Sequence, residues 1–315
     1  MQKKLNKSTV LLNQAPLIGL IIVVVVFAIL TGGKSISSMN IKIMFNSLIL
    51  TAIASTGAIF TFSCGAMDMS VGGSVCIAAI VAAIVGQKTE SAIVIIAVVL
   101  GVSLLIGLFK GLAAAYLSLP IFIVTFILGT LLSSFGLVLL GNQTTLYLKN
   151  FITVKDSTAV CIAILVIFYL FCLFLFRYTR LGRELKLLGG NMLAAGQMGI
   201  NAQKAMIAAF LMNGLGAGLA GVVSILRTKT VSSATGGSVA SDLMIAIVLG
   251  GMPISGGPKS RIGAALIGSV TITVLNNGLS LCNVSNEDIQ IVRGIVFLIV
   301  VFITSMTYRT KLLPR

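Results

Sequence analysis

Residues able to do chemistry are sparse in this chain, and their placement narrows what they can do. Seven of the 315 residues are acidic, and histidine and tryptophan are absent. That removes histidine triads, His-ligated metals and imidazole proton relays. The five cysteines, Cys64, Cys76, Cys161, Cys172 and Cys282, form no C-x-x-C pair and mostly fall in apolar runs. They read as buried packing thiols rather than disulfides or metal ligands. Neither a catalytic residue nor a metal site is expected, and what remains is a small set of carboxylates and amides among apolar neighbours.

The stretch Cys64-Gly65-Ala66-Met67-Asp68-Met69-Ser70-Val71-Gly72-Gly73-Ser74 sets three glycines and one carboxylate between two apolar runs. An ionised Asp at the centre of a membrane helix costs about 2.5–3.5 kcal/mol on insertion scales, so Asp68 must face protein, water or a helix end. Two compatible roles fit. Asp68 caps the helix that follows by bonding its free amides, or it lies with Ser70 on a broken segment beside a translocation path, where irregular backbone survives at membrane depth. Asn276-Asn277-Gly278 raises the same question, because buried amides need partners: they either join helices or line a polar path. Asp68, Ser70, Asn276 and Asn277 are therefore the path candidates. A coupling ion would need an intramembrane ionisable group, and only Asp68 and Asp242 qualify, with Arg293 as a prospective partner.

Between residues 177 and 202 the chain turns polar and basic. Asn191 is placed to cap a short helix carrying Ala194 and Ala195 on its face, and Gly199, just before Ile200, to end it. A helix this short spans nothing; on a basic loop it suits docking into a groove of another protein. Two glycine clusters imitate nucleotide sites. Gly216-Ala217-Gly218-Leu219-Ala220-Gly221 has the G-x-G-x-x-G spacing with Asp242 downstream, but no strand precedes it, as the phosphate mechanism requires. Gly214 and Gly218 also form G-x-x-x-G, so close helix packing is the expectation. Pro258-Lys259-Ser260 lacks the glycines of a phosphate loop and reads as a tight inner-face turn.

The elements that must hold these residues follow from composition. Hydrophobic residues make up 57% and charged ones 9%, against roughly 45–50% and about 25% in soluble domains, which excludes a soluble globular enzyme. A crossing takes about 20 mainly apolar residues. The apolar runs predict ten, near 14–31, 43–62, 70–86, 91–116, 120–140, 157–176, 203–225, 239–254, 262–281 and 289–307. No A-x-A-like cleavage site follows Leu30, so the first run is expected to stay as a span.

The net charge of +15 would suggest nucleic acid in a soluble protein. Here the basic residues sit between apolar runs, where they set orientation, and no nucleic acid partner is expected. With Lys3, Lys4 and Lys7 inside and an even span count, the inside also collects Arg177, Arg180, Arg183, Lys186, Lys204, Lys259, Arg261, Arg309, Lys311 and Arg315, with Lys110 near an inner helix end. The expected fold is all-α: one polytopic membrane helix bundle over 1–315, of about ten spans in membrane lipid, with both termini cytoplasmic.

Several segments, in order over roughly residues 40–305, resemble one family: the permease subunits of ribose-type ABC sugar importers. They are Asp68-Met69-Ser70-Val71-Gly72, Pro120-Ile121-Phe122-Ile123-Val124-Thr125, Thr179-Arg180-Leu181-Gly182-Arg183, and Leu188-Gly189-Gly190-Asn191 with Ala194-Ala195 and Gly199-Ile200-Asn201. Val248-Leu249-Gly250-Gly251, Ser255-Gly256-Gly257 and Leu275-Asn276-Asn277-Gly278-Leu279 complete the set. The resemblance implies a non-enzymatic permease in the cytoplasmic (inner) membrane, paired with a second copy or a similar permease. It further implies two cytoplasmic ABC ATPase subunits that carry ATP and Mg, no cofactor on this chain, and an extracytoplasmic sugar-binding protein. It makes Asn191 to Ile200 the coupling helix, and it implies a simple sugar as cargo, with nucleosides or a sugar-derived signal as the alternative. The chain departs from the family pattern at Ala66 and Met67, where glycine and isoleucine are usual. It departs again at Gly256 to Ile262, where the turn has an extra residue and a proline. A stand-alone ion-coupled transporter is the rival class.

Overall fold

A computed structural model describes residues 7–89, 91–117, 119–148 and 157–309; in 7–13 and 303–309 it gives the helical path alone. Lys3, Lys4, Lys311 and Arg315, on which part of the orientation rests, lie outside the described residues. In chain order the elements are α1 (Lys7–Leu30), α2 (Ser38–Ser63), α3 (Val71–Thr89), α4 (Ala92–Tyr116), α5 (Ile121–Leu140), β1 (Thr145–Tyr147), α6 (Ser157–Tyr178), α7 (Arg180–Gly190) and α8 (Met192–Gln197). Then follow α9 (Ala202–Thr228), β2 (Thr230–Ser232), α10 (Val239–Leu249), α11 (Gly263–Leu281) and α12 (Asn286–Arg309). A short 3-10 turn at Lys34–Ile36 joins α1 to α2.

Each of the ten apolar runs folds as a helix, and among the described residues seven helices are long and apolar enough to cross a bilayer: α2, α3, α4, α5, α6, α9 and α11. The run at 239–254 is the clear exception. Its helix has 11 residues, about 16 Å at 1.5 Å per residue, roughly half of the ~30 Å hydrocarbon core. Gly250 and Gly251 stop it, Gly251 at φ +84°, and the chain continues as irregular backbone with Met252 and Pro253 buried. The all-α reading also missed a ribbon: β1 and β2 pair antiparallel, with Leu146 opposite Val231. Three-residue strands give too little alternation to be read from sequence.

Helices α2, α3 and α9 form the centre. From Ile49 to Ser63 all of α2 but Leu50 is buried, while α4, α5 and α6 turn one face inward and expose large apolar residues such as Phe109, Phe135 and Ile167 on the other. Close approach explains the glycines of α9. A Cβ on Gly216 would stand 2.9 Å from Gly57 Cα, and one on Gly214 would stand 2.7 Å from the Ser103 carbonyl and 3.1 Å from Gly107 Cα. The G-x-G-x-x-G run is thus helix interior, serving backbone-to-backbone packing rather than phosphate binding.

Overpacking that contact is expected to cost about 1–3 kcal/mol. Gly57→Val should lower the thermal unfolding midpoint of the detergent-solubilised protein, whereas Gly101→Ala, with nothing within 4 Å of the added Cβ, should leave it unchanged or raise it.

Candidate functional site

Helix α2 ends at Ser63, and the chain runs irregularly to Ser70 before α3 begins. Gly65 makes the first bend at φ +78°. Asp68 sits at the centre of this break, and its carboxylate accepts four hydrogen bonds. Oδ1 takes the Ser70 amide at 2.8 Å and the Ser70 hydroxyl at 2.6 Å. Oδ2 takes Lys110 Nζ at 2.6 Å and Asn213 Nδ2 at 2.7 Å. Lys110 reaches Ser74 Oγ as well, at 3.4 Å. Both charged side chains are 0% exposed.

Asp68 therefore ties together the break, α3, α4 and α9. Its bond to the Ser70 amide is an Asx-type turn just ahead of the helix, so the capping role is only partly realised: the first-turn amides lie beyond its reach in the hydrogen-bond pattern. Lys110 is the residue that sequence reasoning misassigned. It is not an orientation signal at a helix end but the buried counter-charge of Asp68. A lone cation in an apolar run needs a partner, and that requirement was the signal available.

The wall that Asp68 holds faces a cleft of about 310 Å³. Thr125 secures α5 against the break by accepting the Met69 amide at 3.2 Å, and its own proton is shared between the Phe122 carbonyl at 3.1 Å and the Met67 carbonyl at 3.3 Å. Gly73 and Gly129 then let α3 and α5 touch, since a Cβ on Gly73 would stand 2.5 Å from the Gly129 carbonyl. Beside that contact the cleft opens between Thr130, Ser133 and Ser134 of α5 and Ser233 and Thr235 of the loop before α10; no charged side chain lines it. Asp68 and Ser70 lie just behind its wall.

Asn276 and Asn277 belong elsewhere. Asn277 exchanges two hydrogen bonds with Asn40 of α2, at 2.7 and 3.0 Å, and so joins two helices. Asn276 Oδ1 accepts Arg293 Nε at 2.6 Å. Arg293 Nη1 stands 2.9 Å from Asp242 Oδ1, an ion pair whose alignment falls short of a hydrogen bond at that oxygen. This second polar network links α10, α11 and α12, and neither asparagine lines the cleft. The four path candidates thus divide into two separate groups.

At the other candidate surface, Asn191 caps α8 by accepting the Ala194 amide at 3.0 Å. Gly199, at φ +79°, lets the Ile200 amide return to the Ala195 carbonyl at 3.1 Å. The expected shared face of Ala194 and Ala195 does not form. Ala195 is buried in the main core and Ile200 packs against it, while Ala194 is exposed. The apolar side chains on offer are instead Met192, Leu193 and Met198, with Leu193 83% exposed. Helix α7 lays Gly182, Leu185 and Leu188 inward. Lys186 lies 4.4 Å from the Phe176 ring centre, and burial, then the Arg177 charge, push its ammonium below the ordinary lysine value.

Backbone contacts join this surface to the break. The Gly257 amide donates to the Ser63 carbonyl at 2.9 Å. Gly189 lies against both, since its Cβ would overlap the Ser63 carbonyl oxygen and stand 2.6 Å from Gly257 N. Pro258, the unusual residue of the turn, rests on Gly190 with Cδ 3.2 Å from the position a Cβ would take.

Residues 40–301 match the family described as the permease component of the branched-chain amino acid transport system. The chain is 30% identical to the ribose import permease protein of Escherichia coli, over 93% of this chain and 94% of that one. It is 28% identical to the ribose import permease protein of Bacillus subtilis, over 96% and 95%. It is 27% identical to the xylose transport system permease protein of Haemophilus influenzae, over 91% and 94%. No solved structure is significantly similar to it.

Removing one partner of a buried ion pair strands the other, typically at a cost of about 3–5 kcal/mol. Lys110→Met is therefore expected to lower the thermal midpoint in detergent sharply, and Asp68→Asn combined with Lys110→Met to recover most of the loss. Additive losses in the double variant would show that the two do not act as a pair.

Proposed function

The chain belongs to this permease-component family, on the side of the ribose-type ABC permeases, and from that premise we propose that it is the membrane-spanning subunit of an ATP-driven importer for a simple sugar. A nucleoside or a sugar-derived signal is the alternative cargo within the same reading. The observation that carries the proposal is the spent carboxylate of Asp68. All four of its hydrogen bonds come from protein donors, one of them a buried ammonium, so it has no lone pair left for a coupling ion. Asp242 is already balanced by the guanidinium of Arg293, 2.9 Å away. Transport energy must then enter from outside the chain, and the exposed apolar residues of α8 are the surface offered for it.

In this reading cytoplasmic ABC ATPase subunits hold ATP and Mg and dock on α8 through Met192, Leu193 and Met198, with Asn191 and Gly199 fixing the helix and Ala195 and Ile200 rooting it in the bundle. A sugar-binding protein delivers cargo at the opposite face, and a second permease copy or a similar permease completes the path. The chain crosses the inner membrane ten times with both termini cytoplasmic. Counting α10 as part of a crossing is supported by contacts at each end: β2 before it pairs with β1 after α5, while Gly257 after it meets Ser63 and Gly189. The irregular backbone between is buried in protein, the condition under which it is tolerated at membrane depth. ATP binding on the partners would move α8 and, through the Gly189 and Gly257 contacts, the break that carries Asp68.

Proteoliposomes decide between the classes. The chain alone is expected to take up no D-ribose under a sodium or proton gradient; gradient-driven uptake without an ATPase would establish the ion-coupled rival. With its ATPase and binding protein present, uptake should require ATP, and Leu193→Asp should reduce it by about tenfold or more, as loss of an interface anchor does, without lowering the thermal midpoint of the isolated chain.

A further inference from the structure

We infer that the cleft between α3, α5 and the loop before α10 is a transit site for a neutral, polyhydroxylated cargo, which it contacts through hydroxyl groups and from which it excludes zwitterions such as amino acids. This deepens the importer reading and rests on it. The first support is where the hydroxyls stand. Phe126, Thr130, Ser133 and Ser134 are three and four residues apart, so they share one face of α5, and that face lines the cleft. Phe122, one turn earlier on the same stripe, stacks on Phe126 with ring centres 6.4 Å apart, while Phe135 on the opposite side of the helix exposes a large apolar group, as a lipid-facing surface does. Thr130 and Ser133 are paired within their own helix, but the hydroxyl of Ser134 is not, and it is better placed against a polar ligand than against lipid.

The second support is bonding capacity. Thr130 donates to the Ile127 carbonyl at 2.8 Å and Ser133 to the Gly129 carbonyl at 3.0 Å, so both hydroxyls keep lone pairs that can accept from a ligand. Ser134 and Ser233 have no protein partner for their hydroxyls among the described residues and can both donate and accept. A sugar presents the same mixed donor and acceptor groups, and Phe126 offers an apolar wall to its C–H face.

The third support is charge. An amino acid leaving water needs a counter-charge for its carboxylate and another for its ammonium. The cleft has neither; the nearest buried charges, Asp68 and Lys110, are spent on each other. At about 310 Å³ the space is at the small end of ligand pockets, which run from about 300 to 1,000 Å³. With uncharged contacts only, it suits passage rather than tight retention.

The test uses the full permease–ATPase complex with its binding protein in proteoliposomes, with the exposed native thiol removed as Cys282→Ser. Ser134→Cys is expected to react with a charged, membrane-impermeant methanethiosulfonate, and Phe135→Cys on the lipid-facing side is not. At least one of D-ribose, D-xylose and D-allose should slow the Ser134→Cys reaction fivefold or more, and L-leucine at the same concentration should not. Absence of reaction at Ser134→Cys, or equal effects of the sugars and L-leucine, overturns the inference. Thr130→Val with Ser233→Ala supplies a second readout: sugar uptake should fall about tenfold while ATP hydrolysis persists, and unchanged uptake also counts against the site. The importer reading fails separately, by loss of ATP-driven sugar uptake in the unsubstituted complex, whatever the labelling pattern.

Discussion

Everything near the centre of this protein depends on keeping one carboxylate neutralised where water cannot reach it. Asp68 stands in a stretch with no helical hydrogen bonds of its own, 2% exposed, where an unpaired charge would be strongly disfavoured. The two charges cancel and the remaining acceptor sites are filled by Ser70 and Asn213. Because the donors are Ser70, just ahead of α3, Lys110 of α4 and Asn213 of α9, satisfying the carboxylate also fixes those helices around the break. The fixed break then supplies the wall of the cleft and a rigid start for α3.

The remaining helices answer a different constraint, that of packing without a hydrophobic drive between chains of equal apolarity. Glycine is the device: α9 approaches α2 at Gly216 and Gly57 and approaches α4 at Gly214 and Gly107. Away from these contacts the outer helices present large apolar side chains, and polar pairing is confined to a few places. One is the Asn40–Asn277 exchange, and another is the Arg293, Asn276 and Asp242 cluster that holds the lightly packed α12 to its neighbours.

How much of this could be read from the sequence depended on the distance over which each feature is determined. The glycine packing of α9, the Asn191 cap and Arg293 as a partner for one of the two carboxylates Asp68 and Asp242 were legible, since local spacing or the scarcity of charges left few choices. The Asp68–Lys110 pair was hidden because positive charge near helix ends usually reports orientation, and nothing local marks Lys110 as lying deep in the bundle. Asn277 as helix glue needed Asn40, 237 positions away, and no pattern connects them. The face of α8 was misread because six residues give too short a period to say which side is rooted, so Ala195 went inward and Leu193 outward.

The joint of Ser63, Gly189 and Gly257 is made by backbone atoms alone. Contacts between side chains have slack, because a rotamer change can absorb a shift of an ångström or so. Peptide planes in direct contact offer no such relief, and only their dihedral angles could yield. A push on α7 and α8 therefore reaches the end of α2 and the turn before α11 with little play, as through a pinned linkage rather than a cushioned one. The width of that linkage is set by the van der Waals radius of backbone atoms, which leaves room for a hydrogen at residue 189 and for nothing larger.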